Sequence, residues 1–170
     1  MGITFFDTAN VYGAGHSERV LAQALAGKRD RVVIATKFNA VFDESTRQVL
    51  GSDSSPQGIR RACEDSLRRL DTDLIDLYQF HDNGFPPEKA GPVRDTLEEL
   101  VAAGKIRAYG WSTDFPKSAE FFAAGEHCTA IQAQLNVLDD NPTIVAVCEK
   151  HNLGLINRGP LAMGLLPGKY

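Results

Sequence analysis

No stretch of the sequence stays apolar for the roughly 18 positions that a membrane span requires, so no membrane partner is expected. Cysteine is scarce: Cys63, Cys128 and Cys148 lie far apart, without a CxxC pair or any metal-ligand spacing. So sparse and odd a set predicts reduced thiols in a cytoplasmic protein, with no disulfide framework and no metal. Charge of one sign is not in excess either. A net charge of −4 is mild, and it argues against nucleic acid or an anionic membrane as the main partner. The N-terminus carries no basic stretch followed by an apolar segment, so no secretory signal is expected. Phe6 stands where a myristoylation signal wants Ser or Thr.

Several common site motifs are missing too. Gly13-Ala14-Gly15 follows an apolar run, but the third glycine of G-x-G-x-x-G would fall at Glu18, so this is no Rossmann fingerprint. Neither a P-loop, nor H-E-x-x-H, nor G-x-S-x-G occurs.

What is present is an ordinary globular composition, 43% hydrophobic and 24% charged over 170 residues, enough for one good core. Residues 3–6 and 32–37 read as strands buried on both faces, and residues 74–80, 106–111, 130–135 and 153–157 continue the series. Between them lie helical stripes. Val20, Leu21, Ala24 and Leu25 follow Ser17 and stop at Gly27. Pro56 opens a helix striped by Ile59, Cys63, Ser66, Leu67 and Leu70. Val93, Leu97, Leu100 and Val101 form another, closed by Gly104; residues 115–124 form a short one, and Ile144, Val145, Val147 and Cys148 mark the last. Residues 39–56 are polar and aperiodic, and a long loop is expected there. Six strands alternating with five helices predict a single α/β domain with a parallel sheet. A doubly wound sheet and a (β/α) barrel both fit. A complete eight-unit barrel takes about 250 residues, so the barrel reading requires an incomplete one.

Three successive strands end in ionisable side chains, Asp7, Lys37 and His81, and Tyr12 follows shortly after the first. Each has a bland reading: a turn cap, a snorkelling lysine, a satisfied core histidine, a packed ring. In a barrel, however, the C-terminal strand ends ring one pocket, where all four side chains could meet. A buried lysine and aspartate solve each other's desolvation problem. A nearby ammonium lowers a phenol's pKa from about 10, and an imidazole can orient and polarise a carbonyl oxygen. That is general-acid assistance to a developing alkoxide. With no metal and no acyl leaving group, it points to reduction by a nicotinamide.

The run from Phe6-Asp7-Thr8-Ala9-Asn10-Val11-Tyr12-Gly13 to Ser17-Glu18, with Ala35-Thr36-Lys37 and the strand to His81, resembles the aldo-keto reductases. Gly104-Lys105-Ile106-Arg107 through Gly110-Trp111-Ser112, Ile131-Gln132-Ala133-Gln134-Leu135-Asn136, and Pro160-Leu161-Ala162-Met163-Gly164 through Lys169-Tyr170 extend the resemblance over the whole chain. It implies an incomplete (β/α)8 TIM barrel, six parallel strands alternating with helices and corresponding to about strands 2–7. It also implies reduction of small aldehydes and ketones with NADP(H), or alternatively NAD(H). On the same basis Tyr12 is the proton donor, Lys37 depresses its pKa, Asp7 anchors Lys37, and His81 orients the carbonyl. Ser112 and Gln132 would hold the nicotinamide carboxamide. Leu161 and Lys169 would line the diphosphate path, with Gly159, Pro160 and Gly164 in the same cofactor segment. Arg158 falls where the family commonly places an aromatic that stacks on the nicotinamide, and an arginine plane can stack too. Two open sheet edges would favour self-association. The competing readings are a non-catalytic nucleotide-binding or regulatory relative, an inactive fragment, and an unrelated α/β interaction module.

Overall fold

The computed structural model describes residues 2–168. Six strands lie parallel in one sheet, in the order β1 (Phe5–Asp7), β2 (Val33–Phe38), β5 (Ile75–Phe80), β6 (Ile106–Ser112), β7 (Cys128–Gln134), β8 (Gly154–Arg158). Parallel neighbours need crossovers, and α1 (His16–Ala24), α2 (Pro56–Leu70), α3 (Gly91–Ala102), α4 (Pro116–Ala123) and α5 (Pro142–His151) supply them. In a flat sheet β1 and β7, four steps apart, would be separated by roughly 19 Å. Yet the Gln132 amide on β7 donates to the Asp7 carboxylate on β1 at 3.1 Å. The sheet is therefore curled into a partial (β/α)8 barrel.

The outer face of the sheet carries the large side chains, Ile34, Phe38, Tyr78, Phe80, Tyr109 and Trp111, packed under the helices. The inner face is filled by a small layer of Ala35, Leu77 and Ala130, with Ile156 against it. Ile59, Cys63, Ser66, Leu67 and Leu70, the expected stripe of α2, are all buried. Ser55 caps that helix by accepting from Gly58 N, with Pro56 in the first turn. All three cysteines are free and buried. No helix among the described residues is long and apolar enough to cross a membrane.

Three expectations change. The first strand is not buried on both faces: Ile3 and Phe5 are 67% and 42% exposed, because β1 is an edge strand paired only with β2. Residues 39–56 are not one loop but contain an antiparallel hairpin, β3 (Ala40–Phe42) and β4 (Val49–Ser52). Its turn is organised by Asp43, whose Oδ1 accepts from Ser45 N, Ser45 Oγ and Thr46 N. The first helix does not follow Ser17 but opens ahead of it, at His16. Gly15 holds the cap position at φ 82°, and Ser17 shares a 2.7 Å hydrogen bond with Thr8.

Candidate active site

The polar strand ends meet at the C-terminal rim of the curled sheet. Lys37 is fully buried on β2, and its Nζ donates to Asp7 Oδ2 at 2.6 Å and to the Thr8 carbonyl at 2.8 Å. Asp7 Oδ1 accepts from two neutral amides, Gln79 at 3.0 Å and Gln132 at 3.1 Å. One carboxylate thus takes a cation on one oxygen and two carboxamides on the other. The chain then turns back over β2, fixed by Asn10 N–H to the Lys37 carbonyl. This brings the Tyr12 ring within 5.4 Å of the Lys37 ammonium. A Cβ on Gly15 would stand 2.6 Å from the Arg69 side chain, so the glycine both permits the left-handed turn and leaves Arg69 its channel. Tyr12 is 44% exposed, and its ring meets His81 edge-on with centroids 6.2 Å apart.

Burial first, and Lys37 next, push His81 down to about 4, so the imidazole is neutral near pH 7. Burial holds the Lys37 ammonium below the ordinary lysine value, with Asp7 opposing. The Tyr12 phenol lies above its ordinary value, raised by burial and then by Asp7, while Arg158 pulls it down. The Lys37 charge is neutralised by Asp7 at 2.6 Å, so the phenol faces an ion pair rather than a free cation.

Among the expected cofactor residues, Ser112 and Gln132 are register partners at the ends of β6 and β7, both buried. The Ser112 hydroxyl has no protein hydrogen-bond partner among the described residues, whereas the Gln132 amide is engaged on Asp7. Arg158 is held by Asp114 at 2.5 Å, and its Nε is buried without a partner. Burial opposes ionisation of Asp114, but the Gln134 N–H and the Arg158 guanidinium keep its carboxyl below the usual range. Gly159 adopts φ 70° and its carbonyl accepts from Asn136, Pro160 and Leu161 are exposed, and Gly164 ends a short 3-10 turn. Lys169 lies outside the described residues. No group of three or more His, Cys, Asp or Glu among the described residues could hold a metal ion.

Two participants are absent from the sequence reading. Gln79 lies inside a buried strand, and its signal is parity, since residues 77, 79 and 81 alternate onto the inner face. Asp114 pairs with Arg158 across 44 residues, with no local signal. A cavity of about 910 Å³ opens at the opposite end of the barrel, against Phe5, Val33, Leu77, Ala130 and Ile156, away from all of these groups.

The arrangement can donate a proton from an exposed phenol beside a neutral imidazole, with an anchored ion pair behind it. Comparison with known proteins agrees with the fold. In Bacillus subtilis strain 168, an uncharacterized oxidoreductase, YqkF, is 32% identical over 170 residues, covering 99% of this chain and 55% of that protein. The aldo-keto reductase AKR11C1 from Bacillus halodurans, in its holo form, superposes with a TM-score of 0.86 at 33% identity, covering 97% of this chain and 55% of that one. A Klebsiella pneumoniae aldo-keto reductase solved in complex with NADPH gives 0.77 at 33% identity, covering 97% and 56%. This chain spans about half the length of the curated relatives it matches. The family model described as "Aldo/keto reductase family" matches residues 1–170, and the chain belongs to that family.

Proposed function

We propose that this chain carries the acid–base group of an NAD(P)H-dependent carbonyl reductase acting on small aldehydes or ketones. The observation that carries the reading is the Lys37–Asp7 pair at 2.6 Å with the Tyr12 ring 5.4 Å from the ammonium. Tyr12 donates its proton to the carbonyl oxygen as that oxygen gains negative charge. His81, neutral near pH 7, holds the oxygen in line by a hydrogen bond. Lys37, anchored by Asp7, stabilises the negative charge left on Tyr12 after the transfer.

The residues at the rim fit a nicotinamide. The unpartnered Ser112 hydroxyl beside the Gln132 carboxamide suits an amide, and the Arg158 guanidinium lies on the next strand. When bound, the dinucleotide supplies the electron pair and the second hydrogen of the reduction. NADPH in the Klebsiella pneumoniae relative supports NADP(H) as the cofactor here. The test follows NADPH oxidation with a reactive aldehyde for the parent and for Tyr12→Phe. A loss of about 10²- to 10⁴-fold is expected for the variant. An unchanged rate would sink the assignment of Tyr12, and tight nucleotide binding without turnover would favour a binding or regulatory role.

A further inference from the structure

Gln79 is fully buried on β5, in register with Lys37 on one side and Gly110 on the other. Gly110, its register partner, projects no side chain. Its Nε2 reaches Asp7 Oδ1 at 3.0 Å. Its own carbonyl oxygen is buried without a hydrogen-bond partner. A buried, unpaired acceptor is costly, and an apolar residue of the same shape would avoid the cost. Packing therefore does not explain a glutamine at this position; the bond to Asp7 does.

We infer that Gln79 is a positioning residue: it locks the Asp7 carboxylate with Oδ2 toward Lys37 and draws charge off Oδ1. The inference rests on the carbonyl-reduction reading. Gln132 donates to the same oxygen, but it also borders Ser112, where a nicotinamide would compete for it. Gln79 has no exposed surface, so it holds Asp7 whether or not the site is filled. The charged and titratable groups around Lys37 are Asp7 from β1, Tyr12 from the following loop, His81 after β5 and Arg158 from β8. Of these only Asp7 is a carboxylate, so how far its charge is dispersed sets how tightly the ammonium holds its proton.

The test titrates Lys37 by NMR on lysine-labelled protein, with Lys37→Met assigning the signal, in the parent, Gln79→Leu and Gln79→Glu. Without the amide, the Asp7 charge concentrates and the Lys37 midpoint rises by about half a unit in Gln79→Leu. In Gln79→Glu a second carboxylate raises it by about one unit or more. Gln79→Leu keeps or improves its resistance to urea, since an orphan acceptor is removed. Three superposable Lys37 titrations, or a Gln79→Leu protein weakened in urea with the titration unmoved, would overturn the proposal. If Gln79→Glu does not fold, Gln79→Leu decides alone. The titration needs no turnover: an inactive parent would count against the reductase reading only, and turnover with an unmoved titration against Gln79 only.

Discussion

Arg69 Nε donates to Glu18 Oε2 at 2.6 Å with both side chains almost wholly withdrawn from solvent. Glu18 spends its other oxygen on the Thr36 hydroxyl, and Arg69 reaches Ser66 and Glu44 as well. The residue before Lys37, both first helices and the hairpin turn are thereby joined by one buried pair. Arg19 reinforces the turn by pairing with Glu44. Removing Arg69 leaves the buried Glu18 without its cation, whereas Arg69 would still have Glu44 if Glu18 were removed. Arg69→Ala is expected to lose about 3–5 kcal/mol of unfolding free energy. The double change Glu18→Leu with Arg69→Met should lose much less, because it buries no lone charge. Urea denaturation of the two variants makes the comparison.

His81 gives the fold a pH dependence of known sign. Its folded value, about 4, lies below the ordinary 6.5, because burial and then Lys37 penalise the imidazolium. Between those values the unfolded chain binds more protons, so stability rises with pH across this window. The contribution is complete above about 6.5 and is lost as pH falls through about 4. Urea midpoints measured from pH 4 to 7 should climb in the parent and climb less steeply in His81→Asn. Equal slopes would show that His81 is not the group responsible.

Gly110 marks where two strands leave no space for a side chain. A Cβ there would stand 2.2 Å from the Ala130 carbonyl oxygen on β7, and a backbone atom cannot swing aside as a long side chain can. Overpacking ordinarily costs about 1–3 kcal/mol. Gly110→Ala is expected at the upper end of that range or beyond. A thermal midpoint within a degree of the parent would contradict it.

The parts of the fold legible in the sequence are those where one physical demand dominates. Apolar runs ending in Asp7, Lys37 and His81 announce strands whose tips leave the core, and the stripe from Ile59 to Leu70 announces a helix lying on the sheet. The hairpin escaped notice because its strands are short and solvent-facing, with Val49 and Leu50 61% and 66% exposed, so no burial pattern betrays it. The tetrad's separate members were readable at their strand ends, but the field they create was not. How Lys37 acts on Tyr12 depends on ångström-scale placement, and only the structure shows its ammonium paired with Asp7 at 2.6 Å.

The Asp114 carboxylate gathers the Gln134 N–H, the Asn83 carboxamide and the Arg158 guanidinium onto two oxygens, and its own N–H returns to Asn83 Oδ1. Three strand ends and the loop behind His81 are stapled by a single anion. That stretch of the rim is therefore cross-linked through one side chain, and loss of that carboxylate would free the Gln134 N–H, the Asn83 carboxamide and the Arg158 guanidinium at once.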